Sequence, residues 1–204
     1  MRKEKILVIG NGMASYKFCE KLTALSKSFK IRVIGEEPYC AYDRVHLSSY
    51  FNENKTIDDL LLGSRDWYKA NAIDLLTGDS VTSIDRARKT VTTESGISEP
   101  YDYLIFATGS SCFTPKEIQE FLGAGVIKYR SYDNLREIID RSMRNNAAVV
   151  VGGGLLGLEV ADILCRIGLD THVIELAPNL MGRQLDDTGS RLLEEKIRER
   201  GVNI

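Results

Sequence analysis

No stretch of the chain constrains the fold more than Ala147 to Glu175. It reads Ala147-Ala148-Val149-Val150-Val151, then Gly152-Gly153-Gly154-Leu155-Leu156-Gly157, an apolar-periodic run to Gly168, and Asp170-Thr171-His172-Val173-Ile174-Glu175. A buried strand, a glycine turn, a helix and a second strand ending in an acid make one βαβ unit suited to holding a dinucleotide. Gly152 permits the tight turn off the strand, Gly154 lets backbone approach a pyrophosphate, and Gly157 lets the helix pack close on the sheet. The phosphates then sit at the helix N-terminus, where free NH groups and the helix dipole favour anions. Glu175, eighteen residues past Gly157, is placed to accept from a ribose 2′-OH and to repel a 2′-phosphate, which favours NADH over NADPH.

The same pattern opens the chain. Lys5-Ile6-Leu7-Val8-Ile9 reads as a strand, Gly10-Asn11-Gly12-Met13-Ala14-Ser15 as the turn, then a helix to about Leu25 and a strand Ile31-Arg32-Val33-Ile34 leading to Gly35-Glu36. Ser15 stands at the third glycine position and is small enough for close packing, and Glu36 takes the part of Glu175. A lone glycine fingerprint is as often an ordinary strand–turn–helix as a nucleotide site. Two of them about 140 residues apart favour dinucleotide binding over a structural role for the turns.

The composition fits a soluble globular protein of one large or two small domains. With 43% hydrophobic and 27% charged residues, the chain can bury a core and is not basic enough for nucleic acid. No apolar run reaches the length of a membrane span, and Met1-Arg2-Lys3-Glu4-Lys5 leads straight into a strand, so the expected compartment is the cytoplasm. Cys19, Cys40, Cys112 and Cys165 are scattered, with no metal-ligand or iron–sulfur spacing. Cys19 and Cys165 read as small buried hydrophobes in helices; Cys40 and Cys112 fall in loops near the expected cofactor.

Between the two units the pattern is less regular. Tyr39 to Ser49 reads as a loop entering a short helix, with Arg44 and His46 at the surface. Ser64 caps a helix from Arg65 to about Asn71, with Trp67 and Tyr68 read as core or interface rather than as a cofactor platform. Ile73 to Leu76 is a strand, and runs at Val81 to Ile84 and Thr90 to Thr93 flank a charged hairpin turn. A buried strand, Tyr101 to Phe106, ends in Ala107-Thr108-Gly109, small residues that let backbone come close to a ligand or simply turn tightly. Phe113-Thr114-Pro115 marks the crossing between domains. A short strand is expected at Val126 to Tyr129, then a helix from Tyr132 to Arg144 with Leu135, Ile138 and Ile139 on its apolar face. After Glu175, an amphipathic helix runs from Asp186 to Arg200 with Leu192, Leu193 and Ile197 inward. Val202-Asn203-Ile204 begins a further strand, so the second unit is expected to be truncated.

The order of a fingerprint with Glu36, the Ala107-Thr108-Gly109 turn and a second fingerprint with Glu175 resembles the two-dinucleotide flavoprotein reductases of the pyridine nucleotide-disulfide oxidoreductase superfamily. Within it, Tyr42 to Phe51, Gly152 to Glu159 and Thr171 to Glu175 resemble the N-terminal part of NADH-dependent nitrite reductase large subunits. The resemblance implies an α/β fold of two Rossmann-like three-layer units, the second inserted in the first. Residues 1–114 would form an FAD-binding domain lacking its C-terminal return segment, and 115–204 a truncated NAD(H)-binding domain.

At matching positions the resemblance places Gly10, Gly12 and Ser15 at the FAD pyrophosphate, Glu36 at its ribose and Val81 near its adenine, with Met13 and Glu37 among the cofactor-binding residues. Arg44, Leu47 and Ser48 would border the phosphates and flavin, and Ala107, Thr108 and Gly109 would close the site. Gly152, Gly154, Leu155, Leu156, Gly157 and Glu175 would hold NAD(H). Glu159 is the candidate at the junction of nicotinamide and flavin, set against an ordinary helix-surface acid. The chain has no CxxxxC redox disulfide. Ser49 stands where related rubredoxin and ferredoxin reductases usually carry a lysine. The implied activity is hydride transfer from NADH to FAD as the electron input of a nitrite reductase, passing electrons to iron–sulfur and sirohaem modules. The alternatives are a stand-alone NADH:rubredoxin or ferredoxin reductase or NADH oxidase, and a non-catalytic nucleotide-binding or assembly module. A homodimer is compatible with each.

Overall fold

A computed structural model describes residues 3–52 and 56–204; Met1 and Arg2 of the N-terminal lead-in lie outside them. The chain packs as two units, Met1–Arg44 with Thr56–Ser111, and Val45–Lys55 with Cys112–Ile204.

The first unit starts with the expected βαβ: β1 (Lys5–Ile9), α1 (Met13–Leu25) and β2 (Lys30–Gly35). It continues through α2 (Arg65–Ala70), β3 (Ile73–Thr77), β4 (Val81–Asp85), β5 (Thr90–Thr93), β6 (Ser98–Pro100) and β7 (Tyr103–Phe106). A parallel sheet of order β3-β2-β1-β7 lies beside an antiparallel meander β4-β5-β6. The strands read as continuous apolar runs because both sheet faces are covered. Ile6, Val8, Ile31 and Val33 pack with Cys19 of α1 and Tyr68 of α2, while Leu7, Ile9 and Ile34 pack with Val91 of the meander. Helices, parallel sheet and meander thus form three layers. Glu99 of β6 pins the last two together, accepting from Lys5 of β1 and from Arg32 of β2. The register aligns Ile9 with both Ile34 and Phe106, so Gly10, Gly35 and Ala107 follow at the same carboxyl edge.

The second unit contains α3 (Lys116–Gln119), α4 (Tyr132–Ser142), β8 (Ala147–Val151), α5 (Leu155–Arg166), β9 (Asp170–Ile174) and α6 (Asp187–Glu199). Strands β8 and β9 are parallel. One face of α5 packs Leu158 and Ala161 with Val173, Leu180 and Val202; another packs Val160 and Leu164 with Leu169. Residues 47–52 form a 3₁₀ turn within this unit. Leu47 is buried, Ser48 donates to Glu159 at 2.5 Å, and the Tyr50 and Tyr132 hydroxyls lie 3.0 Å apart with rings edge to face.

Several sequence expectations need correction. Strand β8 is covered on one face only, so Val149 and Val151 are 59% and 58% exposed. Strand β7, last in the sheet order, exposes Tyr103 and Phe106 at its two ends. No strand forms at Val126 to Tyr129: Gly123 and Gly125 adopt positive φ, and the turn they make leaves Val126 a single bridge to Leu122. Leu192 points outward, because Leu193 and Ile197, four residues apart, already occupy the inward stripe. At the end of the chain, Asn203 bridges His172 in parallel. Among the described residues, no helix is long and apolar enough to cross a membrane.

Gly157 and Gly154 offer a matched test. A Cβ at Gly157 would sit 1.9 Å from the Gly152 carbonyl oxygen, whereas one at Gly154 would meet nothing within 4 Å. In urea unfolding followed by circular dichroism, Gly157→Ala should lose about 1–3 kcal/mol, and Gly154→Ala should stay within about 0.5 kcal/mol of the parent.

Candidate functional site

Each βαβ unit brings a glycine turn and an acid to the carboxyl end of its parallel strands. In the first, Gly10 has φ +100° and donates to the Ile34 carbonyl at 2.8 Å, while Ala107 donates to Ile9 at 2.8 Å. A Cβ at Gly10 would lie 2.2 Å from the Ala107 carbonyl oxygen. Only glycine therefore lets the β1 turn and the Ala107-Thr108-Gly109 turn close together, and Gly109 itself has φ +74°. Ser15 is buried in α1, and Gly12 is the N-cap, with open space where a Cβ would be.

Apart from the single turn α3, which starts at Pro115 without a side-chain cap and carries Glu117 in its first turn, the helix N-termini separate into two kinds. Helices α2, α4 and α6 are capped by the side chains of Ser64, Ser131 and Asp186. Helices α1 and α5 begin at Gly12 and Gly154, with no side-chain cap and no acid in the first turn. Their leading NH groups are thus left for an anion, and the open space at both glycines admits one against the backbone. The residues fit a pyrophosphate at each turn. This contrast was readable in the sequence as Ser64, Ser131 and Asp186 against Gly12 and Gly154.

At the end of β2, the two acids differ. Glu36 is exposed. Glu37 accepts from the Tyr42 hydroxyl at 2.6 Å and pairs with Arg44, whose guanidinium carbon lies 5.0 Å from the Tyr42 ring centroid. Arg44 is accordingly half-buried rather than solvated, and His46 is exposed. Backbone bonds from Gly78 to Glu37 and from Asp79 to Gly35, both 3.1 Å, bring the loop before Val81 to the same edge. Inside the turn, Asn11 donates to the Tyr39 carbonyl at 3.0 Å and accepts from the Tyr68 hydroxyl at 2.9 Å. The glycine spacing gave no hint of this role.

In the second unit, Gly152 has φ +115° and donates to Ile174 at 2.8 Å. Glu175 folds back onto the turn, accepting from Gly153 NH at 2.7 Å and from Ala177 NH at 2.9 Å. The Ala177 and Gly153 amides hold its carboxyl below the ordinary range. Leu155 and Leu156 are exposed on the first turn of α5. Glu159 is not a solvated surface acid: it takes the Ser48 hydroxyl and lies near Tyr129, whose phenol is pushed up by burial and then by the Glu159 charge. Leu47, Ser48 and Glu159 thus come together in this unit, while Arg44 belongs to the first.

Burial pushes the Cys19 thiol up to about 11 and raises that of Cys40. Neither has the depressed pKa of a reactive thiolate. Cys165 is only partly buried and donates to the Arg200 carbonyl. Among the described residues, no cluster of His, Cys, Asp and Glu could hold a metal.

The profile of the pyridine nucleotide-disulphide oxidoreductase family matches residues 4–204. The chain belongs to this family. It is 41% identical over 206 residues to the large subunit of nitrite reductase (NAD(P)H) from Klebsiella oxytoca, a match that takes in 100% of this chain and 21% of that one. It is 33% identical to the NADH-rubredoxin oxidoreductase of Clostridium acetobutylicum, with 100% and 52% covered. The crystal structure of that enzyme superposes with a TM-score of 0.86. That of putidaredoxin reductase, solved in covalent complex with putidaredoxin, gives 0.92 at 28% identity, covering 100% of this chain and 50% of the other. As a member of the oxidoreductase family, the chain thus spans between about a fifth and about half of these relatives.

The Glu175 clamp predicts a pH dependence. Its folded carboxyl titrates below the unfolded one, so the contribution is full above the ordinary glutamate pKa and fades as pH falls through the folded value. Corrected for the intrinsic rate, amide exchange at Gly153 should therefore speed up on acidification below about pH 4.5 in the parent. In Glu175→Gln, which keeps one acceptor oxygen, it should be fast and nearly pH-flat once intrinsic exchange is divided out.

Proposed function

We propose that this chain is the NADH-to-FAD electron-input part of a flavoprotein reductase of the nitrite reductase kind. The observation that carries the reading is the second turn: a cap-free glycine N-terminus on α5 beside an acid already turned toward it. That is the arrangement a phosphate and an adjoining ribose diol require. On this reading, residues 1–114 bind FAD and residues 115–204 bind NADH.

In the first unit, Gly10, Gly12, Met13 and Ser15 would receive the FAD pyrophosphate, Glu36 its ribose, and the backbone at Val81 its adenine. Ala107, Thr108 and Gly109 would close over it. Glu37 acts one step back, holding Arg44. In the second, Gly152, Gly154, Leu155, Leu156 and Gly157 would receive NADH, with Glu175 accepting from its ribose. Ser48 fixes the carboxylate of Glu159 for a role beside the nicotinamide. When bound, FAD supplies the redox chemistry, accepting hydride from NADH and releasing electrons onward. The protein's share is to bind, orient and exclude water.

On this reading the partners are NADH and the iron–sulfur and sirohaem modules of a longer cytoplasmic enzyme, as the likeness to nitrite reductase supports. A second reading, a reductase passing electrons to a small redox protein, draws support from the rubredoxin and putidaredoxin reductase relatives.

The test is the visible spectrum of the purified chain with FAD, before and after anaerobic addition of NADH or NADPH. The expected result is a flavin spectrum that bleaches with NADH, at an apparent affinity at least about tenfold better than for NADPH, since Glu175 repels a 2′-phosphate. A protein that stays colourless with added FAD, or bleaches equally with both nucleotides, would overturn the reading.

A further inference from the structure

Asn11 lies between the two glycines of the first turn and is fixed from three sides. Its Nδ2 donates to the Tyr39 carbonyl in the loop after β2, and its Oδ1 accepts from the hydroxyl of Tyr68 on α2. On the third side, Gly35 at the end of β2 makes room for it: a Cβ there would come 2.6 Å from the Asn11 Cβ.

The partners are themselves well anchored. Tyr68 is 2% exposed and packs edge-on against Trp67, with ring centroids 5.0 Å apart. Helix α2 is capped by Ser64, which accepts from Trp67 NH at 3.2 Å. Burial pushes the Tyr68 phenol up, so it keeps its proton and acts as a donor.

The residue type matters as much as the place. A primary amide carries an acceptor and a donor on one planar group, and this site uses both. Aspartate lacks the donor for Tyr39, and leucine lacks both groups. Gly10 is held at φ +100° and Gly12 caps α1 without a side chain, so both neighbours are conformationally permissive. The Asn11 side chain is therefore the part of the turn that ties the peptide planes on either side of it to α2 and to the loop after β2. Those planes direct the leading NH groups of α1.

We propose that Asn11 is a positioning residue of the first phosphate site, holding the Gly10–Gly12 turn in register with α2 through Tyr68 so that the α1 amides meet the FAD pyrophosphate without reordering. The inference rests on the first unit being the FAD site. Tyr68, on this account, influences flavin binding only through Asn11.

The test compares the full chain with Asn11→Ala, Asn11→Asp, Tyr68→Phe and the double variant Asn11→Ala/Tyr68→Phe. One measurement is FAD affinity by flavin fluorescence; the other is amide hydrogen exchange over residues 10–15 in the flavin-free protein. Asn11→Ala should weaken FAD binding about tenfold, as loss of a turn-ordering hydrogen-bond pair does. Asn11→Asp should weaken it further, because it replaces the donor to the Tyr39 carbonyl with a carboxylate oxygen that this carbonyl repels. Tyr68→Phe should give a smaller loss, and the double variant should match Asn11→Ala, because one path carries both effects. Exchange over residues 10–15 should quicken about tenfold in Asn11→Ala, with β1 and β2 still protected.

Parent-like affinity and exchange in Asn11→Ala would overturn the proposal, as would losses that multiply in the double variant. Should Asn11→Ala fail to fold, Tyr68→Phe decides, through faster exchange over residues 10–15 or its absence. Should the parent bind no FAD, the FAD reading fails by itself. Exchange then judges the clamp: faster in Asn11→Ala sustains it, unchanged refutes it.

Discussion

Close approach of backbone to backbone at the carboxyl ends of the parallel strands is the constraint on which the rest of the molecule depends. At Gly10 the neighbour is the Ala107 carbonyl, and at Gly157 it is the carbonyl of Gly152. Each contact forbids a β-carbon, and each brings a helix start or a second turn against the strand that feeds it. Within each unit, peptide groups left without an internal partner are thereby gathered at the carboxyl edge of its own parallel strands. Charge complementarity to a phosphate then follows from geometry, with no basic side chain needed.

The two units reach this arrangement by different polar means. The first steadies its turn with a neutral amide tied to Tyr39 and Tyr68, leaving Glu36 exposed and giving Glu37 to Tyr42 and Arg44. The second steadies its turn with the acid itself, through Gly153 and Ala177. On the proposed function, a change at Glu175 acts on recognition and on turn geometry together, whereas at the first turn the two are given to separate residues. Removing the second acid is thus a blunter change than its charge alone implies.

What the sequence made legible is what local pattern encodes. The paired βαβ units, the Ser64 cap and the β4–β5 hairpin follow from short-range pattern, while the family resemblance rests on the motifs themselves and their order along the chain. Most of the failures depend on what packs only once the chain is folded. Val149 and Val151 read as core because a parallel strand is normally covered twice, yet their outer face is open. Leu192 failed for a local reason instead, standing one position off the helical stripe of Leu193 and Ile197. Asn11 and the Ser48–Glu159 bond join residues 57 and 111 apart in sequence, and no periodic signal spans such separations. Arg44 looked like a solvated loop residue because its partners, Tyr42 and Glu37, are legible only once the loop is folded.

The grouping of residues 45–55 with the later half of the chain bears on how the protein comes to be made. Leu47, Ser48 and Tyr50 leave the ribosome well before Tyr132 and Glu159, the residues they meet. Through that interval the 3₁₀ turn has no surface to bury against, although the strands around it can already pair. The first unit must therefore close while carrying an unsatisfied loop, and that loop settles only after α5 has emerged. A protease acting between residues 111 and 112 would also fail to sort the chain cleanly into two bodies. One fragment would keep, covalently, a piece of the other's interior.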